Sequence, residues 1–357
     1  MIVIKQEVLV SIIIPVYNQS RYLKNSFNGL IYQDYDNLEI ICVDDGSTDN
    51  SLAVLMELKN ADSRIRIIQQ ENKGAGAARN NGLKYANGKY VIFLDADDSF
   101  DSMLIEKLVA KAELLQSDIC ICKAFAIQEN GNKVEMNYSN KIFQRYYNKI
   151  FSANDIAQEV LTSFSVEPWN KLYRRDFLLK LRVQFQEIKK SNDLFFTTVT
   201  LLNADKIAVL DEALIFYCTD NRNKNINEYD DKLLDFSRAL EKTNDYLEQH
   251  SNLLLFKKSF YRMAAGIIFY NLSLKMNMKV REKVVSYLVN KSFAKLKIYE
   301  DNEVSLLGYI YRLQYWLLRK HAPIKSQVLA YKFFKVYEYT KKNSISATLK
   351  KILQYYY

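Results

Sequence analysis

"KYVIFLDADDSF", residues 89–100, passes from four consecutive apolar side chains, Val91 to Leu94, straight into Asp95, Asp97 and Asp98. A short apolar run of this kind reads as a strand buried on both faces. It turns polar at a single point, so its carboxyl end has to lie where the sheet meets solvent or a ligand. The same pattern recurs on either side. Strands are expected over "VLVSIIIPV" from Val8, "LEIICVD" from Leu38, "RIRIIQ" from Arg64 and "SDICICKAF" from Ser117, with amphipathic helical windows at 20–32, 51–60, 75–86 and 102–115 between them. Strands alternating with helices predict an α/β fold, a doubly wound, Rossmann-like and mostly parallel sheet.

In open α/β sheets, ligands sit outside the carboxyl ends of the strands. The residues there are Pro15-Val16-Tyr17-Asn18, Asp44-Asp45-Gly46-Ser47, Asn72-Lys73-Gly74 and Asp95-Ala96-Asp97-Asp98. Carboxylates crowded at the end of a buried strand repel one another and lose hydration unless a cation sits among them. Mn2+ or Mg2+ would supply that charge, taking one or two protein carboxylates together with substrate phosphates. The competing reading, an acidic turn capping the helix near Ser102, explains one such cluster. It does not explain the second, at Asp44 and Asp45.

The 357 residues suffice for two domains, and with 49% hydrophobic and 25% charged residues but only 9 Gly and 3 Pro they leave little room for disordered linkers. Cys42, Cys120, Cys122 and Cys218 lie in apolar runs without zinc spacing, which predicts reduced, packed thiols and a cytoplasmic protein. The start, "MIVIKQEVLVSIIIPVYN", reads as a strand rather than a signal, and no run reaches the roughly 18 apolar residues of a membrane span. His250 and His321 lie far from every motif, against histidine or zinc chemistry.

Charge is segregated along the chain. From Leu253 onward there are 20 Lys and Arg against 5 Asp and Glu, or +15, while the first 252 residues hold 30 against 36, or −6. After about Glu228 the pattern is helical, basic and aromatic. Such a tail suits a helical bundle whose outer face meets the inner membrane leaflet or a second copy of the chain, and it contains no recognised nucleic-acid module. The domains expected are 1–225, with a donor-binding half at about 1–125 and an acceptor half at about 126–225, and a helical domain at 226–357.

Three stretches, "VSIIIPVYNQSRYLKNSFNGLIYQ" from Val10, "EIICVDDGSTDNSL" from Glu39 and "ENKGAGAARNNGLKYANGKYVIFLDADD" from Glu71, together resemble the family 2 glycosyltransferases. The likeness is close over about 8–125 and looser to about 225. It implies the GT-A fold and inverting transfer of a sugar from a nucleotide diphosphate, most often UDP, with a divalent metal on the diphosphate. Pro15, Tyr17, Asp45, Asn72, Lys73, Gly74, Arg79, Asp95, Ala96 and Asp97 then line the donor site. Tyr17 would lie by the base, Asp45 would accept the uracil N–H, and Asp95 would reach the ribose or a bridging water. Asp97 would ligate the metal with Asp98 in support, and Arg79 would lie beside the nucleotide.

An inverting transfer needs a base to deprotonate the acceptor hydroxyl. The family places it in an E-D pair at a helix start, matched here by Asn192-Asp193, so Asp193 is the candidate base; the loss of the Glu should leave its pKa less raised. A plain helix cap is the alternative for Asp193. Trp169, with Asn170 and Lys171, corresponds to an element on the acceptor side, although a core tryptophan fits equally well. A second departure is Cys218, at a place often basic in relatives.

"GAGAAR" fails as a dinucleotide fingerprint, because Arg79 stands where the third glycine belongs and the motif follows the third strand. The acceptor expected is a hydroxyl of a surface polysaccharide or of a lipid-linked or glycoprotein glycan. Two rival readings are a sugar nucleotidyltransferase, which should carry a basic glycine-rich loop where "IPVYNQS" has none, and a non-catalytic partner subunit, which should have lost the D-x-D or the base.

Overall fold

Central β1 (Val10–Val16) runs parallel to β2 (Leu38–Asp44) on one side and β4 (Tyr90–Phe93) on the other, which is why its isoleucines are fully buried. The computed structural model describes residues 8–128, 131–136, 139–218 and 226–297. The basic tail beyond 297 lies outside the described residues. β3 (Ile65–Gln69) extends the parallel set beside β2, and α1 (Ser20–Ile31), α2 (Ser51–Ala61) and α3 (Ala75–Tyr85) connect these strands. Their carboxyl ends therefore share one edge, as the sequence pattern requires.

Beyond β4 the sheet becomes mixed. The full order is β3-β2-β1-β4-β8-β6-β9-β5, with β5 (Ser99–Phe100), β6 (Ile119–Ile127), β8 (Lys171–Arg174) and β9 (Ile207–Cys218), while β7 (Lys133–Glu135) pairs with β6. β8 is antiparallel to both neighbours, so its Leu172 and Tyr173 are enclosed between β4 and β6. The remaining helices of this region are α4 (Leu104–Leu115), α7 (Arg175–Leu181) and α8 (Leu194–Asn203). The α/β class with a helical C-terminal region stands.

The described residues form two compact units, one within 8–136, 146–153 and 167–218, the other within 139–145, 154–166 and 226–297. Segments 139–145 and 154–166, inside the stretch read as the acceptor half, thus cluster with the C-terminal helices. Within that second unit lie α5 (Asn140–Arg145), α6 (Val160–Ser163), α9 (Asp235–Gln249), α10 (Lys257–Ser273) and α11 (Met278–Tyr287). The Leu161 amide of α6 donates to Ser259 Oγ on α10 at 2.9 Å, tying the inserted segment to the bundle. Phe236, Ala239, Leu240 and Leu247 make the buried face of α9 at helical spacing.

Candidate active site

The first cradle is built where β1 and β2 end. Asn18 adopts φ 52°, in the left-handed region that asparagine tolerates, and its side chain accepts from the Thr48 and Asp49 amides at 2.8 and 3.2 Å. Asp45, 2% exposed, accepts from the Lys73 amide at 2.8 Å and the Gly74 amide at 2.7 Å, with Gln70 Nε2 also at 2.8 Å. Gly74 has φ 91°, a conformation that a side chain would strain. The aspartate therefore shapes the 72–74 loop. Its neighbour Asp44 is also buried, and its Oδ1 has no hydrogen-bond partner among the described residues. Tyr17 stands 45% exposed beside these turns.

The second cradle is made by one face of α3. Gly76, Arg79 and Asn80 follow the i, i+3, i+4 spacing that puts side chains on a common face, and all three meet the segment leading into α8. A Cβ on Gly76 would lie 2.2 Å from the Gln186 carbonyl oxygen. Asn80 exchanges two hydrogen bonds with the Phe185 backbone, at 3.0 and 2.8 Å. Arg79, 5% exposed, reaches in two directions, donating to Asp95 Oδ1 at 2.5 Å and to Asn192 Oδ1 at 2.8 Å. Its guanidinium also lies 5.4 Å from the Phe185 ring centroid, within cation–π range. The end of β4 and the start of α8 are thus joined through one buried cation.

Asp193 precedes α8 with αR dihedrals, and its side chain makes no capping hydrogen bond. Desolvation raises its carboxyl to about 6, against the lowering pull of Arg79 and with a further push from Glu167 and Asp95. Asp97 is half-buried, and its carboxyl is also raised, first by burial and then by the negative charge of Asp95. Asp98 is 1% exposed and its Oδ1 accepts from the Cys218 amide at 3.0 Å, bracing β9.

The profile of glycosyl transferase family 2 matches residues 11–182. EpsH of Bacillus subtilis strain 168, which carries the name of a glycosyltransferase, is 30% identical over 249 residues, 69% of this chain and 70% of EpsH. The chain belongs to glycosyltransferase family 2. The Staphylococcus aureus TarS 1–349 structure in complex with UDP-GlcNAc superposes with TM-score 0.68 at 21% identity, covering 92% of this chain and 91% of that one. A mannosyltransferase from Pyrobaculum calidifontis in complex with GDP-Man and Mn2+ has TM-score 0.52 at 14% identity, covering 92% and 87%. These two likenesses concern the fold.

Within this family 2 enzyme the segment expected on the acceptor side, Trp169 to Lys171, is buried. Trp169 is 1% exposed and stacks on Tyr217 with centroids 5.8 Å apart, so neither indole face is open to a sugar in this conformation. Asn170 and Lys171 are fully buried, and Lys171 Nζ donates to the Glu167 carbonyl and to Asn170 Oδ1, both at 2.7 Å. Burial pulls the Lys171 ammonium down to about 7, although Glu167, Cys122 and Asp193 favour the charged form.

Among the described residues no group of three His, Cys, Asp or Glu could hold an ion by itself. Mn2+ or Mg2+ on a nucleotide diphosphate asks less than that, since phosphate oxygens and waters complete its shell. Asp97, raised by burial and by Asp95, is a carboxylate whose ionised form a cation would stabilise, so the donor set fits. Asp44, counted on sequence only as a member of the second acidic cluster, is the residue to which sequence reading gave no role of its own. Its signal is an orphaned acceptor, which appears only once the Asp45 carboxylate is seen to be occupied by the 72–74 loop.

Proposed function

We propose that this glycosyltransferase performs a metal-dependent, inverting transfer of a hexose or N-acetylhexosamine from a UDP-sugar to a hydroxyl of a surface polysaccharide or glycoprotein glycan. Asp193 is the base. It would take the acceptor proton as the oxygen attacks the anomeric carbon from the face opposite the diphosphate. Asp97 would hold the metal, with Asp95 contributing through a bridging water, and the ion when bound would neutralise charge building on the leaving diphosphate. Tyr17 would flank the base, and the Asp44–Asp45 turn would receive its N–H. Asp98, Trp169, Asn170 and Lys171 act as structural supports in this reading, because all four are buried.

The observation that carries the proposal is the Arg79 bridge between Asp95 and Asn192. It puts the D-x-D turn and the Asp193 turn into one electrostatic unit, where a carboxyl poised near 6 is half a base and half an acid at mild pH. The UDP and UDP-GlcNAc complexes of TarS favour a uridine donor for this chain too. No helix of the described residues is long and apolar enough to cross a membrane. Contact with the inner leaflet, as the mode of access to lipid-linked acceptors, is supported by the basic and aromatic sequence pattern after about Glu228.

The test is nucleotide release from a panel of UDP- and GDP-sugars with Mn2+, alongside metal-dependent UDP binding by calorimetry. Release from one UDP-sugar, lost in Asp97→Ala, is expected. No release and no metal-dependent UDP binding would overturn the reading in favour of a non-catalytic partner subunit.

A further inference from the structure

The second unit carries an open groove of about 650 Å3. One wall is a single stripe, Lys279, Lys283, Tyr287 and Lys291, four residues apart along α11 and the π-helical turn Leu288–Ser292 that continues it. At about 1.5 Å per residue the three ammonium groups are spread over roughly 18 Å. Tyr229 faces them, with Lys283 Nζ 5.1 Å from its ring centroid, and Lys291 Nζ lies 5.8 Å from the Tyr287 ring. All three lysines are exposed, and none pairs with a described carboxylate. That sets them apart from Lys257, Lys295 and Lys297 of the same unit, which are bound to Glu248 and Glu241. Glu282 is the one carboxylate in the lining.

Three unneutralised point charges in a row call for a ligand with several negative charges along its length. A mononucleotide is too short to meet all three. A bilayer would engage aromatic anchors that project free of the surface, whereas here the Tyr229 and Tyr287 rings lie against the Lys283 and Lys291 ammonium groups. Aromatic faces beside ammonium groups suit sugar C–H surfaces interrupted by anionic groups.

We infer that this groove binds an anionic glycan, a chain of sugars or polyols carrying phosphodiester or carboxylate groups. The inference deepens the proposed function by naming the acceptor class, and for that meaning it rests on the transferase reading. Binding itself needs neither donor nor metal.

The experiment is fluorescence anisotropy of the full chain with a labelled oligo(glycerol phosphate) of about ten repeats, without UDP-sugar or metal, at rising salt. Dextran, an oligothymidylate of the same length and phosphatidylglycerol vesicles serve as competitors. Binding is expected to weaken with salt, to resist dextran, and to fall by about tenfold or more in Lys279→Gln/Lys283→Gln/Lys291→Gln. The control Lys59→Gln/Lys84→Gln/Lys180→Gln removes the same charge from exposed lysines of the other unit and should fall less than about twofold. Equal loss in the control would overturn the site as general electrostatics. Tighter binding of oligothymidylate or vesicles, lost in the groove variant, would overturn it in favour of nucleic acid or a lipid surface. Polymer binding confined to the groove in a protein that releases no nucleotide would leave the groove standing while the transferase reading fell.

Discussion

In the proposed mechanism the unfavourable desolvation of a carboxylate and the need for a base meet at Asp193. A base works only when deprotonated, so kcat/KM should rise with pH through about 6 and level off above it. Asp193→Asn should cost transfer about 10²–10⁴-fold while leaving UDP binding intact. Its stability effect runs the other way. A carboxyl raised from the ordinary value to about 6 weakens the fold as pH climbs between those two values. At pH 7.5 the amide variant should therefore be the more stable by about 1–3 kcal/mol, and near pH 4 the difference should vanish. Thermal melts at the two pH values check this. Arg79 holds the same carboxyl down, so Arg79→Gln should move the acid limb of the pH profile to higher pH. Arg79→Lys should restore the limb's position but not full activity, because one ammonium cannot reach both Asp95 and Asn192 as the guanidinium does.

Helix α3 bears on the segment carrying Asp193 through a contact that allows no side chain at Gly76. Gly76→Ala would place a methyl group 2.2 Å from the Gln186 carbonyl oxygen, and since that obstacle is backbone the loop must shift. Overpacking of this kind costs about 1–3 kcal/mol. It should also lower kcat/KM more than UDP affinity, which steady-state kinetics beside calorimetry would separate. The same helix shows what the sequence made legible. β1 to β4 and α1 to α4 could be read because each is a local pattern, an apolar run or an amphipathic window ending in turn residues, and Asp193 was singled out as the matching half of a motif whose other half, Asn192, departs from it. β8 could not be read, since four residues of "KLYR" take their strand form from β4 and β6 on either side and from nothing in their own periodicity. Nor could the Arg79 to Asn192 bond, which spans 113 residues. Trp169, open between pocket and core on sequence alone, is buried and stacks on Tyr217, a contact its local sequence does not encode.

Across the whole molecule, several buried ionisable groups combine to shape stability against pH. Lys171, held down to about 7, is neutral in the fold above that value while an unfolded lysine stays charged up to roughly 10.4. The unfolded state then binds the extra proton, so this group makes the protein more stable as pH rises from 7. Cys42, Cys120 and Cys122 act in the opposite sense. Burial raises all three thiols, Cys122 to about 12, so they keep their protons while unfolded thiols lose theirs near roughly 8.5. Above that point three groups opposing folding outweigh one that favours it. The melting temperature should climb from pH 7 to about 8.5 and then decline, the climb being worth about 2 kcal/mol. Lys171→Met should abolish the climb and keep the decline, whereas Cys42→Ala should make the decline shallower. A climb that persists in Lys171→Met would mean that Lys171 keeps its proton in the fold above pH 7, the pull of Glu167, Cys122 and Asp193 outweighing its burial.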